Sequence, residues 1–537
     1  MSKTDGGVAA DGAARSPAPS KRASLLVFIA IEVISGAWYL IVGRRLWFDS
    51  DEWDFLAARR ATSLHDLLSS HYGHWTTIPI LIYRALWTLI GLHSYMPYLL
   101  GAVVTHLAVA ALLRCVMRRA GVNGWTATAG AALYALFGTA SYDILFGFQI
   151  TFSGALALGL THLLLADHDG PIDRRDWLGL GAGLTALLFS SIGIVMVGVV
   201  GLATLVRRGW HIALLHAAPL MSVYAIWWVS IGRVGTEHGK LDAHVAVQWI
   251  REGVSGTFSA LMNGAVLGAV LGIVAAVGFV LVWVPFDFRR LRGQMAAPVA
   301  LAVGGCAFFL TAAYARTSTL VGNPRAPRYE DVAAAMLLPA IAVGLDQLGR
   351  RWRYAAPVGA ALLVAGIPGN VHSVNTYVHE HAAPEQQVRR LVTTLPHVPI
   401  ARTVPRSVQP LPPSVTIGWL LDAAHAGRIP NPGHLSDRDI RNATFRLAFQ
   451  QSSTAAALHD CEPVGTPKTL SLERGDAIGI RGWPLSMSAV SGIAGAGFTS
   501  NFNPVAGNLL VVVAGPVRVR IASRSVFLTA QVCQVSP

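Results

Sequence analysis

Charge is scarce in this sequence. Asp, Glu, Lys and Arg make up 13% of its 537 residues, about half the share found in ordinary soluble domains. Hydrophobic residues make up 53%, and the mean hydropathy is +0.48. Together these exclude a soluble enzyme, a disordered chain and a nucleic-acid binder. Cysteine is nearly absent: four residues exclude a disulfide framework and a zinc-ribbon protein. Lysine is rarer still beside arginine, 4 against 38, a GC-rich codon pattern with no mechanistic weight. The net charge of +13 lies next to apolar runs, so it reads as membrane topology and not as polyanion binding. The sequence contains no internal repeat.

What the chain has in abundance is long apolar runs. Residues 1–22 are an Ala/Gly/Ser/Pro-rich stretch ending in Lys21 and Arg22, and read as a disordered cytoplasmic tail. Ser24–Gly43 follows, 20 residues, enough for about 30 Å of hydrocarbon. A cleaved signal peptide is the rival reading. The run's length, its Glu32, Trp38 and Tyr39, and its Gly-Arg-Arg end favour a retained first span. Further spans are expected near Tyr98–Met117, Gly124–Gly138, Leu145–Ala166, Leu178–Phe189, Ile192–Val206, His211–Ile231, Ala265–Pro285, Ala297–Ala315, Ala333–Leu348 and Ala355–Ile367. With eleven spans, the clusters Arg114/Arg118/Arg119, Arg174/Arg175, Arg207/Arg208, Arg289/Arg290/Arg292 and Arg350/Arg351/Arg353 all fall on the cytoplasmic side. The alternative is a single span over Leu178–Val206, which inverts everything downstream. The Ser190-Ser191-Ile192-Gly193 break favours two short helices. Such a break is tolerated at membrane depth only beside protein or a water-filled cavity, which implies a cavity on the outer side.

The expected fold is therefore an all-α polytopic membrane bundle over residues 23–368, with an extracytoplasmic α+β domain over 369–537. The first outer loop runs over 44–97, and its Ile78–Leu92 stretch reads as an interfacial helix. Gly232–Asn263 is a second outer segment. In the tail, helices are expected over Pro384–Leu395, Ile417–Ala426 and Asp437–Gln451. Strands follow at Lys468–Leu472, Ala477–Ile480, Asn508–Val513, Val517–Ala522 and Val526–Val532, as in a small antiparallel sandwich. Cys461 and Cys533 flank the strand-rich part and are expected to pair. Cys115 and Cys306 lie in spans and stay reduced.

The polar residues with chemical potential gather on the outer side. Asp49, Asp51, Glu52 and Asp54 fall within six residues, either a solvated acidic turn or a general base or hard-cation ligand. His71 and His74 follow in HYGHWTTIP, three apart. On a helix they would share a face and could hold a metal, but Gly73 and the Thr-Thr-Ile-Pro that follows argue for a loop. Substrate hydrogen bonding is the preferred role, with Trp75 stacking on a sugar or sitting at headgroup level. Asp143 sits at the outer rim, with Gln149 further in. A carboxylate there is a functional candidate or a harmless snorkelling residue. Arg316, Arg325, Arg328 and Tyr329 lie where positive-inside logic does not place arginines. They form either a phosphate clamp or a charge cluster solvated with Glu330 and Asp331.

These motifs, in this order on one membrane face, resemble the GT-C superfamily of membrane glycosyltransferases, which includes protein O-mannosyltransferases and lipid A aminoarabinose transferases. The resemblance covers residues 24–367. It is carried by Asp51-Glu52 in a long first outer loop, His74 to Leu92, Asp143 after the third span, and Arg325, Arg328 and Tyr329 before a late span. Those families often have Pro-Pro after the His, where this chain has Trp-Thr-Thr-Ile-Pro. The tail resembles actinobacterial cell-wall transferases in architecture only. The resemblance implies an inverting transfer of a sugar from a polyprenyl-phosphate carrier to a hydroxyl on a glycan, lipid or protein outside the cytoplasmic membrane. Asp51 would be the base, with Asp49 and Glu52 beside it, and Arg325 and Arg328 would hold the phosphate. A divalent metal ion on Asp51 and Asp143 is a further implied possibility. The competing class is a non-enzymatic polytopic protein, either a lipid-linked glycan transporter or a scaffold for the tail. A transporter would show ionisable groups at mid-membrane; only Glu32, His106 and His216 stand out there.

Overall fold

A computed structural model describes residues 21–234, 242–282, 289, 291–316, 322–352, 354–411, 414–452, 458–464, 466–481, 485–491, 498–502, 508–512, 517–523 and 531–535. The expected tail at 1–22 and strand at Val526–Val532 lie largely outside these residues. The α-helices are α1 (Lys21–Gly43), α2 (Leu64–Leu68), α3 (Thr77–Ile90), α4 (Met96–Arg119), α5 (Gly124–Ala135), α6 (Ser141–Leu145), α7 (Ile150–Ala166), α8 (Arg174–Leu187), α9 (Ile192–Arg208), α10 (Trp210–Trp227), α11 (Ala243–Leu261), α12 (Ala265–Val282), α13 (Ala296–Arg316), α14 (Pro327–Arg351), α15 (Ala355–Ala365), α16 (Ile367–Thr394), α17 (Ile417–His425) and α18 (Asp437–Ala448). Eight helical segments among the described residues are long and apolar enough to cross a membrane. The other three expected spans form the shorter helices α5, α8 and α9.

The arginine clusters meet at one end of the bundle. Arg207 pairs with Asp167 (2.8 Å) and Asp169 (3.1 Å) and donates to the Gly293 carbonyl. Arg119 donates to the Leu164 carbonyl. Asp346 accepts from Asn123 N and pairs with Arg350. The ends of α4, α7, α9 and α14 therefore lie together. The Leu178–Val206 stretch is a hairpin, because Arg208 at the end of α9 pairs with Asp176 at the start of α8. Asp176 is fully buried and does several jobs. It closes the α8 capping box with Asp173, and it accepts from His216 Nε2 (3.0 Å) on α10. His216 in turn meets His162 (3.0 Å) on α7. An anionic partner and a string of imidazoles thus pin the hairpin to both neighbours, which satisfies polar groups that lipid would leave unpaired.

Three expectations need correction. The segment Gly232–Asn263 is not a plain outer loop. Its α11 packs on α12, α13 and α14, with Trp249, Gly253 and Gly256 buried. The Leu145–Ala166 span is broken at Phe146, where α6 gives way to a 3₁₀ turn and then α7. The boundary at 368/369 is also not a break. α16 runs unbroken for 28 residues out of the bundle, with Pro384 inside it. One stripe of α16, Asn370, Val374, Val378, Ala382 and Glu385, is buried. Asn370 donates to the Leu261 carbonyl (2.9 Å) and accepts from Thr139 N (3.0 Å). Glu385 accepts from Trp47 N (2.6 Å).

The tail strands pair in two sheets, β1 (Phe449–Ser452), β2 (Leu458–Pro463), β3 (Lys468–Leu472), β4 (Ala477–Arg481), β5 (Leu485–Ser491), β6 (Phe498–Phe502), β7 (Asn508–Val512), β8 (Val517–Ser523) and β9 (Gln531–Val535). The sheets are ordered β1-β7-β4-β9-β2 and β3-β8-β5-β6, and the described pairings are antiparallel. A disulfide joins Cys461 on β2 to Cys533 on β9.

Candidate functional site

The first loop is built around aromatic residues. Trp47, Phe48 and Trp53 are buried, and Phe48 packs edge-on against Tyr95 and Tyr98 of the α4 approach (4.9 and 4.8 Å between ring centroids). This anchor turns the four carboxylates to different sides. Glu52 points inward, sealed from solvent, and accepts from Tyr83 Oη (2.6 Å) and Asp49 N (3.0 Å). Burial pushes its carboxyl up to about 8 against the pull of the Tyr83 hydrogen bond. It braces the loop and does not stand in the catalytic place first expected beside Asp51. Asp54 accepts from His71 Nδ1 (3.0 Å), Arg59 Nε (3.2 Å) and Ser414 Oγ of the tail (3.2 Å). Burial raises Asp54, but His71 and Arg59 outweigh it and hold the carboxyl below its usual range. Asp51 is the outward member, one-third exposed, with Oδ1 3.9 Å from His71 Nε2. Burial pulls His71 down, but Asp51 and Asp54 outweigh it and raise the imidazole.

His71 and His74 do not form a metal pair. Their backbones bridge each other around a tight turn through Tyr72 (φ 48°) and Gly73 (φ 88°), and the rings diverge. His74 Nδ1 meets Ser190 and Ser191 Oγ at the tip of the α8–α9 hairpin. Burial and neighbouring cations push His74 down to about 3, which favours the neutral ring. Trp75 is not open to a sugar. It is buried, and its face lies flat on Trp227 (5.0 Å, 4° between planes).

Beside this loop opens a cleft of ≈ 730 Å³. Its floor is Gly138–Tyr142, one side is Ala326–Arg328 with Asn263, and the other is α16. Arg328 lines it and makes no ion pair among the described residues. The pairing with Glu330 or Asp331 that would have solvated it is therefore not made. Arg325 turns away and reaches Ser255 of α11 (3.4 Å). Tyr329 is buried between Trp249 and Phe308, and Gln149 is buried outside the cleft lining. The hydroxyl of Tyr142, on the floor, lies in the fields of Asp51, Asp143, Arg328 and Asp49. Asp49 and Asp51 lie outside the cleft lining and act on Tyr142 through their charge, while Arg328 and Tyr142 line this opening. Asp143 lies beneath it, 1% exposed, with both carboxylate oxygens unpartnered. Burial and the Asp331 charge push its carboxyl well above the usual range, against Arg328.

No described contact joins Asp51 to Asp143, the two carboxylates that would share a metal ion. Another group, His168, Asp173 and Asp176, does hold ligand atoms within 4.8 Å of one another. It lies at the arginine end, away from the cleft, and Arg175 and Arg208 already pair its carboxylates.

Sequence reading missed the α16 wall. Its signal was present: His372, Ser373, Thr376, Tyr377, Glu380 and His381 recur at one helical face. Drawing a domain boundary at 369 hid that period.

No protein-family model matches the sequence, and no curated protein matches it. Among solved structures the chain is similar to the crystal structure of ArnT from Cupriavidus metallidurans in the apo state. The two share 14% identity over 75% of this chain and 84% of that chain, with a TM-score of 0.48. It is also similar to ArnT from the same organism bound to undecaprenyl phosphate, at 14% identity over 79% and 88% with a TM-score of 0.46. A likeness at this level assigns no residue and no reaction.

Proposed function

We propose that the chain is a membrane glycosyltransferase of GT-C type that takes a sugar from a polyprenyl-phosphate donor and gives it to a hydroxyl acceptor. The observation that carries this reading is a cleft lined by Arg328 and Tyr142 at the non-arginine end of the bundle, with Asp51 and Asp49 near enough for their charges to act on the Tyr142 hydroxyl. Positive-inside logic puts the arginine end in the cytoplasm, and with it the cleft and the tail outside.

A hydroxyl is a poor nucleophile at neutral pH. The acceptor oxygen bonds to the anomeric carbon while that carbon's bond to the phosphate oxygen breaks. Asp51 takes the acceptor proton, and the departing phosphate keeps the bonding electron pair. Arg328 offers its donor fork to that growing charge. Asp51 suits the base role better than its neighbours, because Glu52 is sealed and Asp54 is already held by His71 and Arg59. His71 Nε2 stands 3.9 Å behind Asp51, too far to hydrogen-bond it directly. A divalent ion, if one binds, would serve the phosphate; no step above needs it.

The test is paired. Purified protein in nanodiscs should bind undecaprenyl phosphate by native mass spectrometry. Asp51→Asn should keep that binding and lose about 10²–10⁴-fold in sugar transfer from radiolabelled membrane lipids. Full activity in Asp51→Asn with loss in Asp49→Asn would move the base along the loop. Full activity in both, or a protein that binds no polyprenyl phosphate, would overturn the reading.

A further inference from the structure

The cleft lining is mixed, with more apolar than polar exposed surface, and its polar side chains gather along α16. Its lining contains no Leu, Ile, Val, Met, Phe or Trp among the described residues. A polyprenyl chain would find there none of the large aliphatic side chains that line a lipid groove. What fits is the polar part of the reaction. Arg328 occupies one side, the depth at which a phosphate is wanted. The opposite side is α16, which presents His372, Thr376, Tyr377, Glu380 and His381 over ten residues, a rise of roughly 14 Å from first to last at 1.5 Å per residue.

That wall is rigid and pre-organised. Asn370 ties its start to the α11 end and to Thr139, and Glu385 ties its far part to Trp47 N. Asn263 donates to Ser373 Oγ (3.2 Å) across the cleft mouth. Tyr377 and His381 stack (4.0 Å between centroids, 17° between planes) and offer one flat aromatic face. His381 Nδ1 lies 2.9 Å from the Tyr377 carbonyl, so Nδ1 carries the proton and donates. Nε2 is then the ring atom left to meet a ligand. Beside it, Glu380 accepts and Thr376 both donates and accepts. Arg328 and Glu380 are the only Arg, Lys, Asp or Glu side chains in the lining. Neutral donors and acceptors with a flat ring suit a polyol. An anionic glycan would want more cations. A peptide would want a strand edge to pair its backbone, and this wall is a helix whose backbone is already bonded.

We infer that the α16 face is the acceptor-binding wall of the cleft and that the acceptor it takes is the end of a neutral carbohydrate chain. The inference rests on the transferase reading for the word acceptor, and on the wall alone for the ligand class.

The test uses the full chain in nanodiscs on an array of neutral mannan, arabinan, galactan and glucan oligosaccharides, with anionic oligosaccharides and Ser/Thr peptides as controls. Saturable binding to at least one neutral glycan is expected. Glu380→Ala and His381→Ala should each weaken it about tenfold or more while undecaprenyl phosphate still binds. His379→Ala, on the exposed side of α16 and outside the lining, should bind glycan as the parent does. Retained undecaprenyl-phosphate binding also shows that the two wall variants are folded. Absence of glycan binding in the parent, wall variants that bind as the parent does, or preference for anionic glycans or peptides would each overturn the inference. Glycan binding by a parent protein that ignores undecaprenyl phosphate would uphold the wall as a glycan site and sink the transferase reading instead.

Discussion

At the scale of single residues, neighbours in sequence take opposite roles. Asp51 faces outward with one-third of its side chain exposed, while Glu52 is sealed beneath it. Glu52's raised carboxyl has a consequence for pH. A group whose folded value lies above its ordinary 4.5 adds stability that is complete below that value and is lost as pH rises through about 8. Asp54, held low by His71 and Arg59, adds stability that is complete above its ordinary range and is lost as pH falls through its lowered value. Hydrogen-exchange protection over residues 44–76, taken relative to the intrinsic exchange rate at each pH, should therefore be greatest at mildly acidic pH and should fall on both sides. Glu52→Gln should remove the alkaline limb and leave the acid limb; an unchanged alkaline limb would mean that Glu52 does not titrate as a buried acid. For Arg328 the measurement is donor dependence. Arg328→Ala loses a charge-assisted hydrogen bond of about 1.5–3 kcal/mol, so donor KM should rise roughly tenfold to a hundredfold with acceptor dependence unchanged. Arg328→Lys should recover only part, because it keeps the charge and not the fork. Arg325→Ala, which turns to Ser255, should be nearly silent. Equal effects of the two would mean that the cleft-facing geometry does not select between them.

At the scale of elements, the hairpin of α8 and α9 is the feature most dependent on one side chain. Asp176 serves the capping box, His168, Arg208 and His216 at once. Asp176→Ala leaves the Arg208 guanidinium, 4% exposed, without its anion, a change that typically costs about 3–5 kcal/mol. Detergent-solubilised protein should melt several degrees lower by intrinsic fluorescence. Asp176→Asn should fall between, because it keeps the hydrogen-bonding shape and loses the charge. A parental melting point in both variants would show the network to be incidental. The hairpin's other end holds the site: its Ser190-Ser191 tip meets His74, so loosening at the arginine end should also lower transfer. The hairpin was legible in part, because two serines and a glycine interrupt an apolar run. The long helix α16 was legible only from Pro384 onward, because a boundary at 369 cuts across the i, i+4 recurrence of its cleft face.

At the scale of the whole molecule, the tail is tied to the site it covers. Ser414 reaches Asp54, Arg428 binds the Leu92 region through its carbonyl (2.7 Å), and Trp419 stacks on Trp87 (4.9 Å). Two experiments test its compartment. A reporter fused after Pro537 should be active only outside the cytoplasm; cytoplasmic activity would invert the bundle and detach the site from its proposed face. Cys461 and Cys533 close 72 residues, a loop for which chain entropy gives about 4 kcal/mol. Thiol reagents should not label either cysteine in folded protein until reductant is added, and reduction should expose the β-sheets to protease. Labelling without reductant would count against an oxidised tail.

The sequence by itself determined the spans, the gathering of arginines at one end, the acidic and histidine-bearing first loop, and several tail strands. These are local quantities: a run of apolar residues or a period of two is complete within a segment of the chain. The tertiary structure alone decided which of four clustered carboxylates faces out, which of two arginines enters the cleft, that Trp75 is covered by Trp227, and that α16 forms the cleft's second wall. Each of these is a choice of side-chain direction set by residues far away in sequence, such as Tyr83 for Glu52 or Asn370's hold on α11 for α16. Spacing along the chain places such residues near the membrane surface, and packing between helices decides what they meet there.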